Sequence, residues 1–244
     1  MCERNFAQLA RLLLADSDEP RVLVVGGRVL GQGIEHLLGQ PDIELVETDV
    51  AFGPRTGLIC DAHDIPFEDG TFDGVIAQGV LEHVVDPHRC VAEMHRVLRA
   101  DGLVYAETAF MQQVHGGRFD FMRFTPLGHR RLLRAFSELD SGVLCGPGMA
   151  LAWSYRYFLL SFARSRRARA VIDAFARATS SFLQYADRWL ISRPGAFDAA
   201  SAVYFMGRRS EQALTDRELI TLYRGAQVGD TGPRPSAPRS GMRP

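Results

Sequence analysis

The sequence predicts an α/β fold, a Rossmann-like sheet of seven mostly parallel strands with helices on both faces and an antiparallel final hairpin. Three observations predict it. Arg21-Val22-Leu23-Val24-Val25 is a short, β-branched apolar run of the kind buried in a parallel sheet, and it stops abruptly at Gly26-Gly27. After a helical segment, a second strand over Ile43 to Thr48 delivers Asp49 to its carboxyl end. Leu58–Cys60, Asp73–Ala77 and Leu103–Glu107 continue the series, and Val143–Cys145 with Ala202–Gly207 closes it as a hairpin.

Taken in order, Phe6, Leu9, Ala10 and Leu13 fall on one face of an N-terminal helix within residues 1–20, expected to pack at the sheet edge and help close a ligand site. The main domain is expected over 21–210. Leu30, Ile34, Leu37 and Leu38 repeat at helical spacing after the first strand. Asp86-Pro87 opens a helix with Val91, Met94 and Leu98 on its apolar face, closed by Ala100-Asp101-Gly102. A further helix is expected over Leu127–Phe136. Between the sixth and seventh strands, where a minimal fold needs a turn, a helical insertion is expected at 149–196. Its first stretch carries Trp153, Tyr155, Tyr157, Phe158 and Phe162, its second Val171, Phe175, Phe182, Ala186 and Trp189, with Arg164, Arg166, Arg167 and Arg169 between. Either this is a helical cap with a solvated basic corner, or it meets an anionic membrane or a lipid-linked substrate. A short helix is expected over 211–224 and a disordered Gly/Pro/Ser/Arg-rich tail over 225–244.

Length and composition restrict the function. The 244 residues suffice for one substantial domain with an elaboration, and a net charge of -1 gives no global attraction to nucleic acid. Cys2, Cys60, Cys90 and Cys145 form no C-x-x-C pair, which argues against zinc ribbons and disulfide frameworks and fits a reducing cytoplasm. No apolar run reaches the roughly 20 residues that span a bilayer, and no signal-peptide core is present. The spacing of the histidines predicts no metal site.

The glycines of the first turn serve either tight packing or the approach of a ligand to the backbone, and Asp49 can accept both hydrogen bonds of a ribose diol. A pyrophosphate needs G-x-G-x-x-G. The turn Gly26-Gly27-Arg28-Val29-Leu30-Gly31-Gln32-Gly33 is out of that register, which disfavours a dinucleotide. A nucleoside cofactor without phosphates fits better.

The block Asp61-Ala62-His63-Asp64-Ile65-Pro66-Phe67-Glu68-Asp69-Gly70-Thr71-Phe72-Asp73 is similar to "D-A-x-x-L-P-F-x-D-x-S-F-D", and Gln78-Gly79-Val80-Leu81-Glu82-His83-Val84 carries "V-L-E-H-V". Both resemble the class I S-adenosylmethionine-dependent methyltransferases, in the group that includes the ubiquinone and menaquinone C-methyltransferases. The resemblance implies that S-adenosyl-L-methionine is held by Gly26, Gly27, Gly31, Asp49, Asp61, Ala62, Gln78, Gly79 and Val80. Asp61 would accept from the adenine amine, and Gln78 and Gly79 would meet the methionine part. Two positions depart from the pattern: Val24 stands where an acid is common and Arg28 where a glycine is common.

Thr108 to Thr125 resembles "P-F-x-x-x-V-H-x-x-x-x-D-F-x-R-F-T" of a subgroup of these enzymes and is read as the substrate wall and lid. His115 is the candidate base for a hydroxyl acceptor and Asp120 the group that orients it. His83, Phe110, Phe119 and Arg123 are the candidate substrate contacts. His83 is either a substrate-side group or a structural hydrogen-bonder, and Asp120 with Arg123 either serves the reaction or stitches the loop. The expected function is methyl transfer, by O-methylation, to a small-molecule, glycan or lipid-linked acceptor. The alternative is a non-catalytic protein of the same fold that acts as a binding or regulatory partner.

Overall fold

This computed structural model describes residues 1–29 and 31–226. Its strands are β1 (Arg21–Val25), β2 (Glu44–Asp49), β3 (Leu58–Ile59), β4 (Phe72–Gln78), β5 (Leu98–Ala109), β6 (Phe136–Cys145) and β7 (Ala202–Arg209). Among the described residues they form one sheet in the order β3-β2-β1-β4-β5-β7-β6. β1 to β5 pair in parallel, and β7 runs antiparallel to both β5 and β6. The order reverses between β1 and β4, so a crevice opens at their carboxyl ends, the place where doubly wound sheets bind ligands.

Alternation along the strands splits the core into two layers. Leu23, Val25, Val75, Ala77, Val104 and Ala106 face one way, onto Cys90, Val91, Met94 and Val97 of α3 (Pro87–Val97) and onto Leu132 of α4 (Pro126–Leu132). Val22, Val24, Ile76, Leu103 and Tyr105 face the other way, onto Phe6, Leu9, Ala10 and Leu13 of α1 (Cys2–Asp16). The apolar face of α1 therefore lies across the middle of the sheet, from β1 to β7, and not at its edge as its position in the sequence suggested. Its first turn also reaches the ligand crevice: a Cβ on Gly33 would stand 2.9 Å from the Cys2 carbonyl carbon.

Other elements differ from their sequence-based bounds for physical reasons. The helix after the first turn shrinks to α2 (Glu35–Leu38), because Gly33 at φ +93° and Gly39 bracket it; Ile34 and Leu37 are buried while Leu38 is exposed. Leu30 lies outside the described residues. β5 begins at Leu98, turning through Asp101 at φ +59° before its main run. β6 begins at Phe136 and occupies the sheet edge. Ser137, Glu138, Asp140 and Ser141 keep that edge polar and conceal the strand from a search for apolar runs.

The insertion between β6 and β7 contains α5 (Pro147–Leu160), α6 (Arg166–Ser180), a 3-10 stretch (Ser181–Ala186), α7 (Asp187–Leu190) and α8 (Pro194–Asp198). Arg156 of α5 pairs with Asp173 of α6 at 2.5 Å, tying the two longest helices together. Of the arginines expected between two helices, Arg164 precedes the N-cap Ser165, and Arg166, Arg167 and Arg169 begin α6. After β7, α9 (Asp216–Thr221) is capped reciprocally by Thr215 and Glu218. Of the tail expected to be disordered, residues 227–244 lie outside the described residues. No helix among the described residues is long and apolar enough to cross a membrane.

Candidate active site

The carboxyl ends of β1, β2 and β4 bring most of the expected cofactor residues together. β1 ends because Gly26 adopts φ +75°, and its missing side chain matters: a Cβ there would come within 2.4 Å of Val80 Cγ2. Gly27 donates to the Thr48 carbonyl at 2.8 Å, which fastens the turn to β2. Asp49, at the end of β2, accepts from the Ala51 amide at 2.9 Å and from the Arg28 amide at 3.4 Å. Gly79 follows β4 at φ +63° and donates to the Glu107 carbonyl at 3.1 Å.

Gln78 closes the first turn. Its Nε2 donates to the Gln32 carbonyl at 3.0 Å, and its amide lies against Gly31 so closely that a Cβ there would sit 1.6 Å from Oε1. The Gln78 Oε1 atom is buried without a hydrogen-bond partner among the described residues. The enclosed space beside it, bounded by Val24, Gly26, Gly27, Gly31, Glu47 and Gln78, is only about 20 Å³.

Asp61 and Ala62 follow β3. Ala62 is buried in the core layer beneath α3, whereas the Asp61 carboxylate is exposed. Asp61 Oδ1 accepts from the His63 amide at 2.9 Å and from the His63 ring at 2.5 Å, and these donors hold its carboxyl below the usual carboxylate range. The far nitrogen of the same ring, Nε2, accepts from the Asp86 amide at 3.0 Å. The proton therefore sits on His63 Nδ1, and the neutral ring bridges the Asp61 loop to the start of α3. Sequence reasoning gave His63 no part in the site.

The loop after β5 folds back over the end of β4. The Phe121 and Met122 amides donate to the Glu82 carbonyl, at 2.9 and 3.2 Å. Within the loop, Asp120 is fully buried and accepts from the His115 and Gly116 amides and from both Arg123 guanidinium nitrogens. Arg123 holds the Asp120 carboxyl well below the usual range and spends its remaining donors on the Gln112, Gln113 and Met122 carbonyls. This pair stitches the loop. Arg123 has no donor left over for a substrate, and Asp120 Oδ2 stands 3.6 Å from His115 Nδ1.

The stitched loop carries His115 to His83, their rings meeting edge to face at 4.8 Å. His83 Nδ1 donates to the Phe119 carbonyl at 2.8 Å, and His115 Nδ1 to the Gln113 carbonyl at 3.2 Å. For His83 this leaves Nε2 with its lone pair, whereas His115 Nδ1 also lies 3.4 Å from Arg123 Nη2, a group that can only donate, a contact that calls for the opposite tautomer. Glu82 joins them. It is 2% exposed, its Oε1 accepts from the Ala109 amide at 3.2 Å, its Oε2 has no partner among the described residues, and burial pushes its carboxyl up. One donor atom from each of Glu82, His83 and His115 lies within 4.8 Å of the others. The histidine spacing gave no sign of this gathering, because it depends on how the loop folds back.

Phe119 is exposed with Arg118 over its ring at 4.8 Å, so its carbonyl and not its ring serves the cluster. Phe110 is drawn away. It packs on the small core of Val143, Ala196, Ala200 and Val203 at the base of the insertion. Between loop and insertion opens a cleft of about 730 Å³ lined by Gln113, Asp120, Arg123, Ser154, Tyr157 and Phe158, among others. Its walls are joined where Tyr157 donates to the Val114 carbonyl at 3.1 Å and Gln113 to Ser154 at 3.1 Å.

This geometry has known counterparts. A family model described as a methyltransferase domain matches residues 41–106, which contain Asp49, Asp61 and the segment from Gln78 to His83. The chain has the fold of the class I methyltransferases. It is 41% identical over 52 residues, 21% of its length, to the ubiquinone/menaquinone biosynthesis C-methyltransferase UbiE of Citrifermentans bemidjiense. That match spans 22% of the relative. In overall structure it is similar to a protein from Galdieria sulphuraria provisionally assigned as a sarcosine dimethylglycine methyltransferase, with a TM-score of 0.54, 14% identity and 85% of each chain covered. It is also similar to a phosphoethanolamine N-methyltransferase of Haemonchus contortus in complex with S-adenosyl-L-methionine, with a TM-score of 0.50 and 12% identity. That likeness covers 84% of this methyltransferase-fold chain and 53% of the other.

Proposed function

We propose that this protein transfers the methyl group of S-adenosyl-L-methionine to a hydroxyl of a small-molecule, glycan or lipid-linked acceptor. The observation that carries the reading is the convergence of Asp49, Asp61, Gly26 and Gly79 at the switch point of the sheet, with a histidine pair on the adjoining loop. The donor set suits the cofactor. Asp49 would take the ribose hydroxyls, Asp61 the adenine amine, and the unpartnered Gln78 Oε1 the amino group for which Val24 supplies no acid. Because Gln78 fills the space against Gly31, its side chain swings aside to admit that end of the ligand.

When bound, the cofactor supplies an electrophilic methyl carbon. In-line displacement there depends on holding the acceptor close and aligned, and the cleft beside the loop provides the wall for this. The neutral ring of His115 would accept the hydroxyl proton, and the Asp120–Arg123 pair keeps the loop that presents it in place.

The acceptor class is supported by the insertion. Phe158, Phe162, Val171, Phe175, Phe182 and Trp189 are all more than half exposed, with Arg164, Arg166, Arg167 and Arg169 exposed beside them. Aromatic surface next to arginines suits an anionic membrane surface from which a lipid-linked acceptor is drawn. The chemistry is tested with S-adenosylmethionine labelled in its methyl group and a panel of glycan, lipid and phenolic hydroxyls. Label enters one class, and His115→Ala lowers kcat roughly 100-fold with cofactor affinity unchanged. No transfer to any acceptor by a folded protein would contradict the reading. The closed first turn favours a second one, a non-catalytic binding partner on the same fold.

A further inference from the structure

Glu82, His83 and His115 share features that a proton-accepting role leaves unused. Two imidazoles each meet a backbone carbonyl at Nδ1, a contact that leaves Nε2 for a metal when Nδ1 carries the proton, the arrangement found behind metal-bound histidines. The third member is a carboxylate that is 2% exposed and keeps one oxygen without a partner, a costly state unless something occupies it. The three donors lie within 4.8 Å of one another, close enough for small shifts to bring all of them onto one ion. Charge is consistent with this. Arg123 is neutralised by Asp120, so its guanidinium adds no net positive charge beside the cluster. Gly79 is a near neighbour of this carboxyl, since a Cβ there would stand 3.9 Å from Oε1.

We propose that Glu82, His83 and His115 form a site for a first-row divalent cation that binds and acidifies the acceptor hydroxyl. Two imidazoles and one carboxylate suit Zn²⁺, Mn²⁺ or Fe²⁺, and three protein ligands leave positions for an acceptor oxygen. The inference rests on the methyl-transfer reading and gives the cluster a different part in it. The hydroxyl loses its proton to solvent on binding the cation, whose charge lowers its pKa. The oxygen lone pair then forms the O–CH₃ bond as the C–S bond breaks, and that bonding pair leaves with sulfur as a neutral thioether. With the cation bound, His115 would serve as a ligand, and the hydroxyl proton would go to solvent instead of to its ring. The site lies between Gly79 and the loop, and so beside the expected methyl donor.

The test uses the full chain and Co²⁺, whose visible absorption reports imidazole ligation, with cofactor binding measured by calorimetry on the same preparations. Wild type should bind a single equivalent of Co²⁺ displaceable by Zn²⁺. His115→Ala and His83→Ala should each weaken this at least about tenfold while retaining cofactor affinity and a native melting transition. His115 lies on the loop surface, so its variant is expected to fold even if that of His83 does not. Absence of ligand-field bands, or equal affinity in both variants, would overturn the proposal. Cofactor binding without Co²⁺ binding would remove this inference alone. Co²⁺ binding without cofactor binding would uphold the metal site and remove the methyl-transfer reading.

Discussion

At the residue scale, the site depends on atoms that are missing as much as on those present. Gly26 combines a positive φ with a position where a Cβ would overlap the Val80 methyl, so an alanine there strains the backbone and displaces the segment that follows β4. Gly26→Ala is expected to cost about 1–3 kcal/mol of stability and to abolish measurable S-adenosylmethionine binding. Denaturant melts with calorimetry check this, and unchanged affinity would separate the first turn from the ligand. The sequence displayed this glycine, together with Asp49 and Asp61, because each follows directly on a strand. The part played by Glu82 was not legible. Its backbone carbonyl is bound by the Phe121 and Met122 amides some forty positions downstream, and its carboxyl by the Ala109 amide, contacts that depend on how the loop folds back.

At the element scale, strands were readable where both faces are buried. β1 and β4 are nearly continuous apolar runs because helices cover them on both sides. β6 was mostly missed because an edge strand survives by being polar. The helices of the insertion were found from their aromatic spacing, but periodicity cannot tell a face that packs from one that stays exposed. Here Phe158 and Phe162 of the α5 end, and Val171 and Phe175 of α6, stay in solvent. Replacing Phe162, Phe175 and Trp189 together by serine should reduce co-sedimentation with phosphatidylglycerol vesicles by an order of magnitude or more. The fold should be unaffected, since none of these residues is in the core. Equal sedimentation would detach the insertion from membranes.

At the scale of the whole molecule, two core layers hold one sheet whose switch point carries the site, and stability should vary with pH through a residue far from it. His129 of α4 is fully enclosed, its Nε2 has no partner among the described residues, and burial beside Arg130 pushes its pKa down to about 3. The native ring is therefore neutral while the unfolded ring titrates near 6.5. Its contribution is present above that value and is lost as the pH falls from there towards 3. Chemical melts at pH 7 and pH 5 should show wild type losing stability that His129→Leu does not lose. Parallel losses in both proteins would assign the acid limb to carboxylates instead.

The central claim, that the acids at the ends of β2 and β3 hold S-adenosylmethionine, is tested most directly by calorimetry. Wild type is compared with Asp49→Ala and Asp61→Ala. Each variant loses a charge-assisted contact worth about 1.5–3 kcal/mol, so a tenfold or greater loss of affinity is expected in both. A folded wild type that does not bind the cofactor, or variants that bind it as tightly as wild type does, would contradict the account.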